Sequence, residues 1–247
     1  MTNLDEKAKE IRRSIIKMLA EAGSGHTAGA MGMADVFTAL YFGEVLEKND
    51  KVILSNGHIC PVWYATLAEA GYFPKEELMT LRKINSRLQG HPQYQWLPGV
   101  ENTGGPLAQG LSQAVGRAIA GEKVYCLMSD AEFQEGQTWE AIMLAGNKDL
   151  PNLKIIIDRN NIQISGSTDK VMNLEPFVQK LQSFSWKVVE IDGHNFEQII
   201  AALKTPGKLI IVAKTIPGKG VSFMEGKYEW HGKVPNKEEV ERALAEL

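Results

Sequence analysis

The chain has 247 residues, 44% of them hydrophobic and 23% charged, which are ordinary values for a globular protein with a sizeable core. Its formal net charge is -3, with acidic and basic residues mixed along the chain, so no basic stripe marks nucleic acid or an anionic membrane as a partner. Cys60 and Cys126 lack CxxC spacing and sit among apolar residues, and the charged start MTNLDEKAKEIRR and the lack of a span-length apolar run point to a cytoplasmic protein with reduced, buried thiols.

In chain order, Ile11, Ile15, Met18 and Leu19 recur at helical spacing, and a second helical segment covers residues 33–46, with Val36, Phe37, Leu40 and Tyr41 on one face. A glycine-rich break, residues 23–29, separates them. Residues 52–54 read as a short buried strand that ends at Ser55-Asn-Gly-His58. A helix opened by Pro61 and stopped at Gly71 comes next. Residues 105–120 form a helix of small residues, 123–128 a strand, 137–147 a helix and 153–157 an uninterrupted apolar strand. Helices at 175–184, 197–203 and 236–247 alternate with strands at 186–191 and 209–213. Continuous apolar strands separated by helices imply βαβ units, hence one α/β domain over residues 1–247 with a mostly parallel sheet covered by helices on both faces.

Ligands of such open sheets bind beyond the carboxyl ends of the strands. One strand ends at Ser129-Asp-Ala-Glu132 and the next at Asp158-Arg-Asn-Asn-Ile162, which brings two polar clusters to one edge. Asp130, the Asn160 amide oxygen and the Ile162 carbonyl would offer hard oxygen donors, suited to Mg²⁺, with Ca²⁺ or Mn²⁺ as alternatives, and not to zinc. So few protein oxygens imply that phosphate oxygens complete the shell. Asp and Asn after strands also serve as ordinary caps and turn formers.

The run Ser129-Asp-Ala-Glu-Phe-Gln-Glu-Gly136, followed by Asp158-Arg-Asn-Asn-Ile-Gln163, resembles the thiamine diphosphate motif of transketolases. That motif begins Gly-Asp-Gly and ends in Asn about thirty residues later. Further segments match in the family's order: Ser24-Gly-His26, Asn56-Gly-His58, Gly90-His-Pro92, Gly105-Pro-Leu-Ala-Gln-Gly110, Lys214-Thr-Ile-Pro-Gly-Lys-Gly220 and Trp230-His-Gly232. The resemblance implies the fold that binds the cofactor's diphosphate, the PP domain. It implies Asp130, Asn160 and Ile162 as metal ligands and Ala131 as a backbone contact to the diphosphate. Gly105, Pro106 and Leu107 match a loop that meets the aminopyrimidine ring. His58 and His231 match residues near the diphosphate, with His231 also reaching substrate, while His26 and His91 match residues that bind sugar hydroxyls and assist proton transfer. Glu135 matches a carboxylate at the family's subunit interface, and it also suits a helix N-terminus. His194 matches a family turn, for which a structural capping role is expected.

The motif's two glycines stand here as Ser129 and Ala131, and an alanine required to take positive φ would weaken cofactor binding. Family members place thiamine diphosphate between this domain and a pyrimidine-binding domain whose glutamate activates the cofactor. The sequence is therefore expected to be the amino-terminal subunit of a split transketolase, paired as α₂β₂ with a carboxy-terminal subunit that carries the pyrimidine domain. It would transfer a two-carbon ketol unit from a ketose, usually phosphorylated, to an aldose. The alternatives are a deoxyxylulose-phosphate synthase-like subunit or an inactive regulatory homologue.

Overall fold

A computed structural model describes residues 3–247. Helix α1 (Leu4–Ala22) is capped by the Asn3 side chain, which accepts from the Glu6 N–H at 3.2 Å, and ends at Gly23 in the left-handed region, φ 65°. It buries Ile11, Ile15, Met18 and Leu19, the face that the spacing predicts. Helices α2 (Ala28–Gly32) and α3 (Ala34–Phe42) follow, then β1 (Lys51–Leu54), α4 (Cys60–Glu69), α5 (Gln109–Ile119), β2 (Val124–Ser129), α6 (Gly136–Gly146) and β3 (Leu153–Arg159). A small hairpin, β4 (Ile162–Gln163) with β5 (Gly166–Ser167), leads to α7 (Thr168–Val171) and α8 (Phe177–Ser183). The chain closes through β6 (Val188–Asp192), α9 (Phe196–Lys204), β7 (Leu209–Lys214) and α10 (Lys237–Glu246).

Five strands pair in the order β1-β2-β3-β7-β6, every pair parallel. Side chains alternate between two cores. Tyr125 and Leu127 of β2 join the cluster built with α1, α3 and α4, whereas Val124, Cys126 and Met128 join the one built with α5 and α6. The inner strands β2, β3 and β7 are thus covered on both faces and read as continuous apolar runs because neither side meets water, whereas the edge strand β6 is largely half-buried or exposed. Both cysteines are free and buried, and burial pushes the Cys60 thiol up to about 12. Among the described residues no helix is long and apolar enough to cross a membrane.

Several expected boundaries move. The helix expected over residues 105–120 begins only at Gln109, because Gly105 at φ 137° and Ala108 at φ 68° leave the right-handed region. The helix expected over 33–46 ends at Phe42, before Gly43. Strand β3 runs two residues beyond Ile157, which carries Asp158 and Arg159 into the ladder. Neither the β4–β5 hairpin nor α7 has a periodic signature long enough to read from sequence.

Candidate active site

The carboxyl ends of β1, β2, β3 and β7 converge on one edge of the sheet. Ser129 pairs with Asp158 across β2 and β3, and Asp158 pairs with Ala213 of β7. The two polar clusters expected on neighbouring strands are therefore adjacent. Above them lies a cavity of about 420 Å³, lined among others by His26, His58, His91, His231, Gly105, Leu107, Ser129, Ala131, Asn160 and Ile162. Glu135 and Pro106 complete the expected set differently. Glu135 lines the rim at the N-cap of α6, and Pro106 is exposed between its two lining neighbours.

Three imidazoles form a near-equilateral triangle, with ring centroids 5.0 Å apart for His26–His58, 5.1 Å for His58–His231 and 5.3 Å for His26–His231. Their loops are tied together: the Thr27 hydroxyl donates to the Lys233 carbonyl at 2.6 Å, and the Gly218 N–H donates to the Ala28 carbonyl at 2.8 Å. Burial, aided by the unfavourable build-up of positive charge beside His231, Arg82 and His91, lowers His26 to about 4. Burial also takes His58 well below its ordinary value and lowers His231 and His91. Near neutral pH these rings are uncharged, so each can accept at one nitrogen and donate at the other. The His26 Nδ1 is buried without a partner. The His91 ring lies over Gly105, and a Cβ placed on that glycine would sit 3.8 Å from His91 Cγ.

Asp130 is wholly buried between Ser129 and Ala131. Burial pushes its carboxyl up to about 6, against the pull of Arg159 and the Asn161 N–H. Both donors reach Oδ2 at 2.9 Å, while Oδ1 is buried with no partner. The Asn160 Nδ2 donates to Asp158 Oδ2 at 2.7 Å, and its Oδ1 accepts from the Ile162 N–H at 3.0 Å, an amide orientation assigned from these bonds. Asp158 is fully buried, and burial lifts its carboxyl to about 7. The bare carboxylate oxygen of Asp130 and the oriented amide oxygen of Asn160, on residues that follow paired strand ends, are hard donors of the kind a divalent cation takes. Among the described residues no cluster of three or more His, Cys, Asp and Glu side chains is arranged to hold a metal. A cation here would therefore rely on mixed carboxylate, amide and main-chain oxygens together with phosphate oxygens.

Ala131 sits in a 3-10 turn (Asp130–Gln134) and is not among the residues with positive φ. The strain expected of an alanine in a glycine position is therefore absent. Asn161, at φ 60°, takes the left-handed conformation instead, which asparagine tolerates.

Other residues were not singled out from the sequence. Glu132 is fully buried; its Oε1 accepts from the Ser55 hydroxyl at 2.5 Å and the Ala108 N–H at 2.9 Å, and its Oε2 from the Ser129 N–H at 2.8 Å. One carboxylate thus joins the three loops around the cavity. Its position three residues after Ser129 is the capping-box spacing, a signal present in the sequence. Gln134 and Gln163 line the rim, bonded to each other at 3.3 Å, and exposed Ile164 lies beside them. No sequence signal marks that pairing. His194 does act structurally: its Nδ1 meets Asp35 Oδ2 at 2.6 Å and its Nε2 accepts from the Ile216 N–H at 2.8 Å. Burial opposes the charge on Asp35, but bonds from His194 and Arg12 outweigh it and hold that carboxyl below its ordinary value.

Residues 4–247 match the family model described as transketolase, thiamine diphosphate binding domain. The chain is 39% identical to one of the subunits of the apulose-4-phosphate transketolase of Actinobacillus succinogenes, covering 99% of this chain and 95% of that protein. It is 37% identical to the 6-deoxy-6-sulfo-D-fructose transketolase subunit SqwG of a Clostridium species, covering 99% and 96%. The solved transketolase of Leishmania mexicana superposes with a TM-score of 0.92 at 33% identity, over 98% of this chain but only 41% of that one.

Proposed function

The chain belongs to the transketolase family, whose thiamine diphosphate binding domain it carries, and on that premise we propose that it is the amino-terminal subunit of a split transketolase. The observation that supports this most directly is the convergence of His26, His58, His231 and Asn160 on one cavity at the carboxyl edge of the sheet, with Asp130 buried between its lining residues Ser129 and Ala131. Relatives named as transketolase subunits are matched over 95% and 96% of their length, which supports a separate partner chain. That partner would carry the pyrimidine-binding domain, and the assembly would be α₂β₂ with Glu135 at an interface. Substrates would be sugars or sugar phosphates.

In this reading Asp130, Asn160 and the Ile162 carbonyl hold Mg²⁺, and Ala131, Gly105, Pro106, Leu107, His58 and His231 hold the cofactor. Bound thiamine diphosphate supplies the stabilisation of carbanion character that breaking a ketose carbon–carbon bond requires. The protein orients the substrate and moves protons. His26 and His91 accept hydrogen bonds from sugar hydroxyls and take up or return a proton at an imidazole nitrogen, with His231 assisting from the facing loop. Because burial keeps these rings unprotonated, each enters the reaction as a base. The backbone of Ala131 gives no conformational reason for a lost cofactor site, which weighs against an inactive homologue.

The test is an assay of ketol transfer with thiamine diphosphate and Mg²⁺, with the chain alone and with a partner that bears a pyrimidine domain. Turnover is expected only with the partner. Full turnover by the chain alone would overturn the split arrangement, and none in either case would overturn the transferase reading.

A further inference from the structure

Arg159 closes β3 and is only 8% exposed. Its Nη1 donates to Asp130 Oδ2 at 2.9 Å and its Nη2 to Glu175 Oε1 at 2.8 Å, while the guanidinium lies 5.1 Å from the centre of the Phe177 ring. The Asn161 N–H takes the same Asp130 oxygen, also at 2.9 Å. Two donors thus converge on Oδ2, and Oδ1 is left buried and bare. The carboxylate is held asymmetrically.

That asymmetry bears on which ion fits. Mg²⁺ demands near-ideal octahedral geometry at about 2.0–2.1 Å, whereas Ca²⁺ accepts more oxygens at about 2.3–2.6 Å and readily takes both oxygens of one carboxylate. A carboxylate with one oxygen already saturated offers a cation a single bond. Resting on the cation site proposed above, we propose that Arg159 is a positioning residue that sets ion choice, holding Asp130 to one-oxygen ligation and so favouring Mg²⁺ over Ca²⁺. Glu175 and Phe177 fix the guanidinium in that place from its other edge and its face. A purely electrostatic role differs in its signature. Repulsion from the guanidinium acts on both divalent ions alike and leaves their affinity ratio unchanged.

The measurement is Mn²⁺ binding to the chain assembled with a partner that bears the pyrimidine domain, with thiamine diphosphate present, followed by electron paramagnetic resonance and displaced by Mg²⁺ or Ca²⁺. In Arg159→Met the ratio of Ca²⁺ to Mg²⁺ affinity should rise by about tenfold, the size of effect that outer partners of metal ligands carry. Arg159→Lys retains a donor and should restore most of the original ratio. Glu175→Gln loosens the guanidinium and should shift the ratio the same way by less; it carries the test if Arg159→Met misfolds. Asp130→Asn should abolish binding of all three ions. An unchanged ratio in Arg159→Met and Glu175→Gln, with Mn²⁺ still bound, would overturn the role of Arg159 and leave the cation site intact. Absence of Mn²⁺ binding in the assembly with the unaltered chain would remove the cation site itself, and the role of Arg159 with it.

Discussion

Gly110→Ala tests how closely α5 must approach the end of β1. Helix propensity alone favours the alanine by about 1 kcal/mol. The added Cβ, however, would lie 2.5 Å from Ser55 Cα and 2.6 Å from Ser55 Cβ, and backbone at that distance cannot be relieved by turning a side chain. Carbon atoms need about 3.5–4.0 Å, so the two elements must part by roughly 1 Å, and overpacking of that kind costs about 1–3 kcal/mol. Ser55 is also a donor to the fully buried Glu132, which in turn holds the Ala108 N–H. Losing one hydrogen bond to that buried charge costs about 1.5–3 kcal/mol more. The net destabilisation is then about 1.5–5 kcal/mol, a fall of roughly 3–20 °C in melting temperature for a domain of this size. Gly116, in the same helix, is the control. Nothing lies within 4 Å of its Cβ position, so Gly116→Ala should stabilise the protein by up to about 1 kcal/mol. Urea unfolding followed by circular dichroism reads both variants. If Gly110→Ala matches or exceeds the stability of the unaltered chain, the argued contact between α5 and Ser55 does not constrain the fold.

Acid should destabilise the protein through its histidines. Because His26 is lowered to about 4 in the fold, the unfolded chain binds protons first, and stability present above about 6.5 is lost as pH falls towards 4; urea midpoints across that window should show a slope that His26→Asn reduces, and an identical slope would sink the assignment. Arg12 donates two bonds to Asp35, at 3.0 and 2.6 Å, with both side chains 7% exposed. Arg12→Met leaves that buried carboxylate short of its counter-ion and should cost about 3–5 kcal/mol in chemical denaturation, whereas a loss under 1 kcal/mol would mean that His194 alone suffices. Ala131→Gly has no positive φ to relieve and should lower stability by about 0.5–1 kcal/mol; a gain would show hidden strain at that position.

Which parts of this site the sequence reveals depends on how far each contact reaches along the chain. Asp130 and Asn160 were legible because each follows an apolar strand, and strand ends are where open sheets place ligands. Their adjacency followed from βαβ order, and the Ser129–Asp158 pairing agrees. Glu132 was half legible: the capping-box spacing was visible, but its bonds to Ser55 and Ala108 depend on the distant β1 and α5. The expected start of α5 at Gly105 is too early: Gly105 and Pro106 are the poorest helix formers, a local signal that the run of small residues behind them obscures, and the positive φ of Gly105 and Ala108 delays the helix to Gln109. Arg159 carried no signal at all. Its partners Asp130 and Glu175 lie on either side of it in sequence and meet only once the excursion through β4, β5 and α7 folds back.

The histidines show the same limit at the level of chemistry. His26, His58 and His231 come from distant loops, and nothing local to any of them fixes its charge. Their uncharged state comes from burial within the triangle, where the Thr27–Lys233 and Gly218–Ala28 bonds close the loops over the sheet edge. Residue type thus supplied the capacity for proton transfer, and tertiary packing set its direction. A ring held neutral at physiological pH can take a proton from a hydroxyl and give it back, which the same ring protonated in water at low pH cannot do.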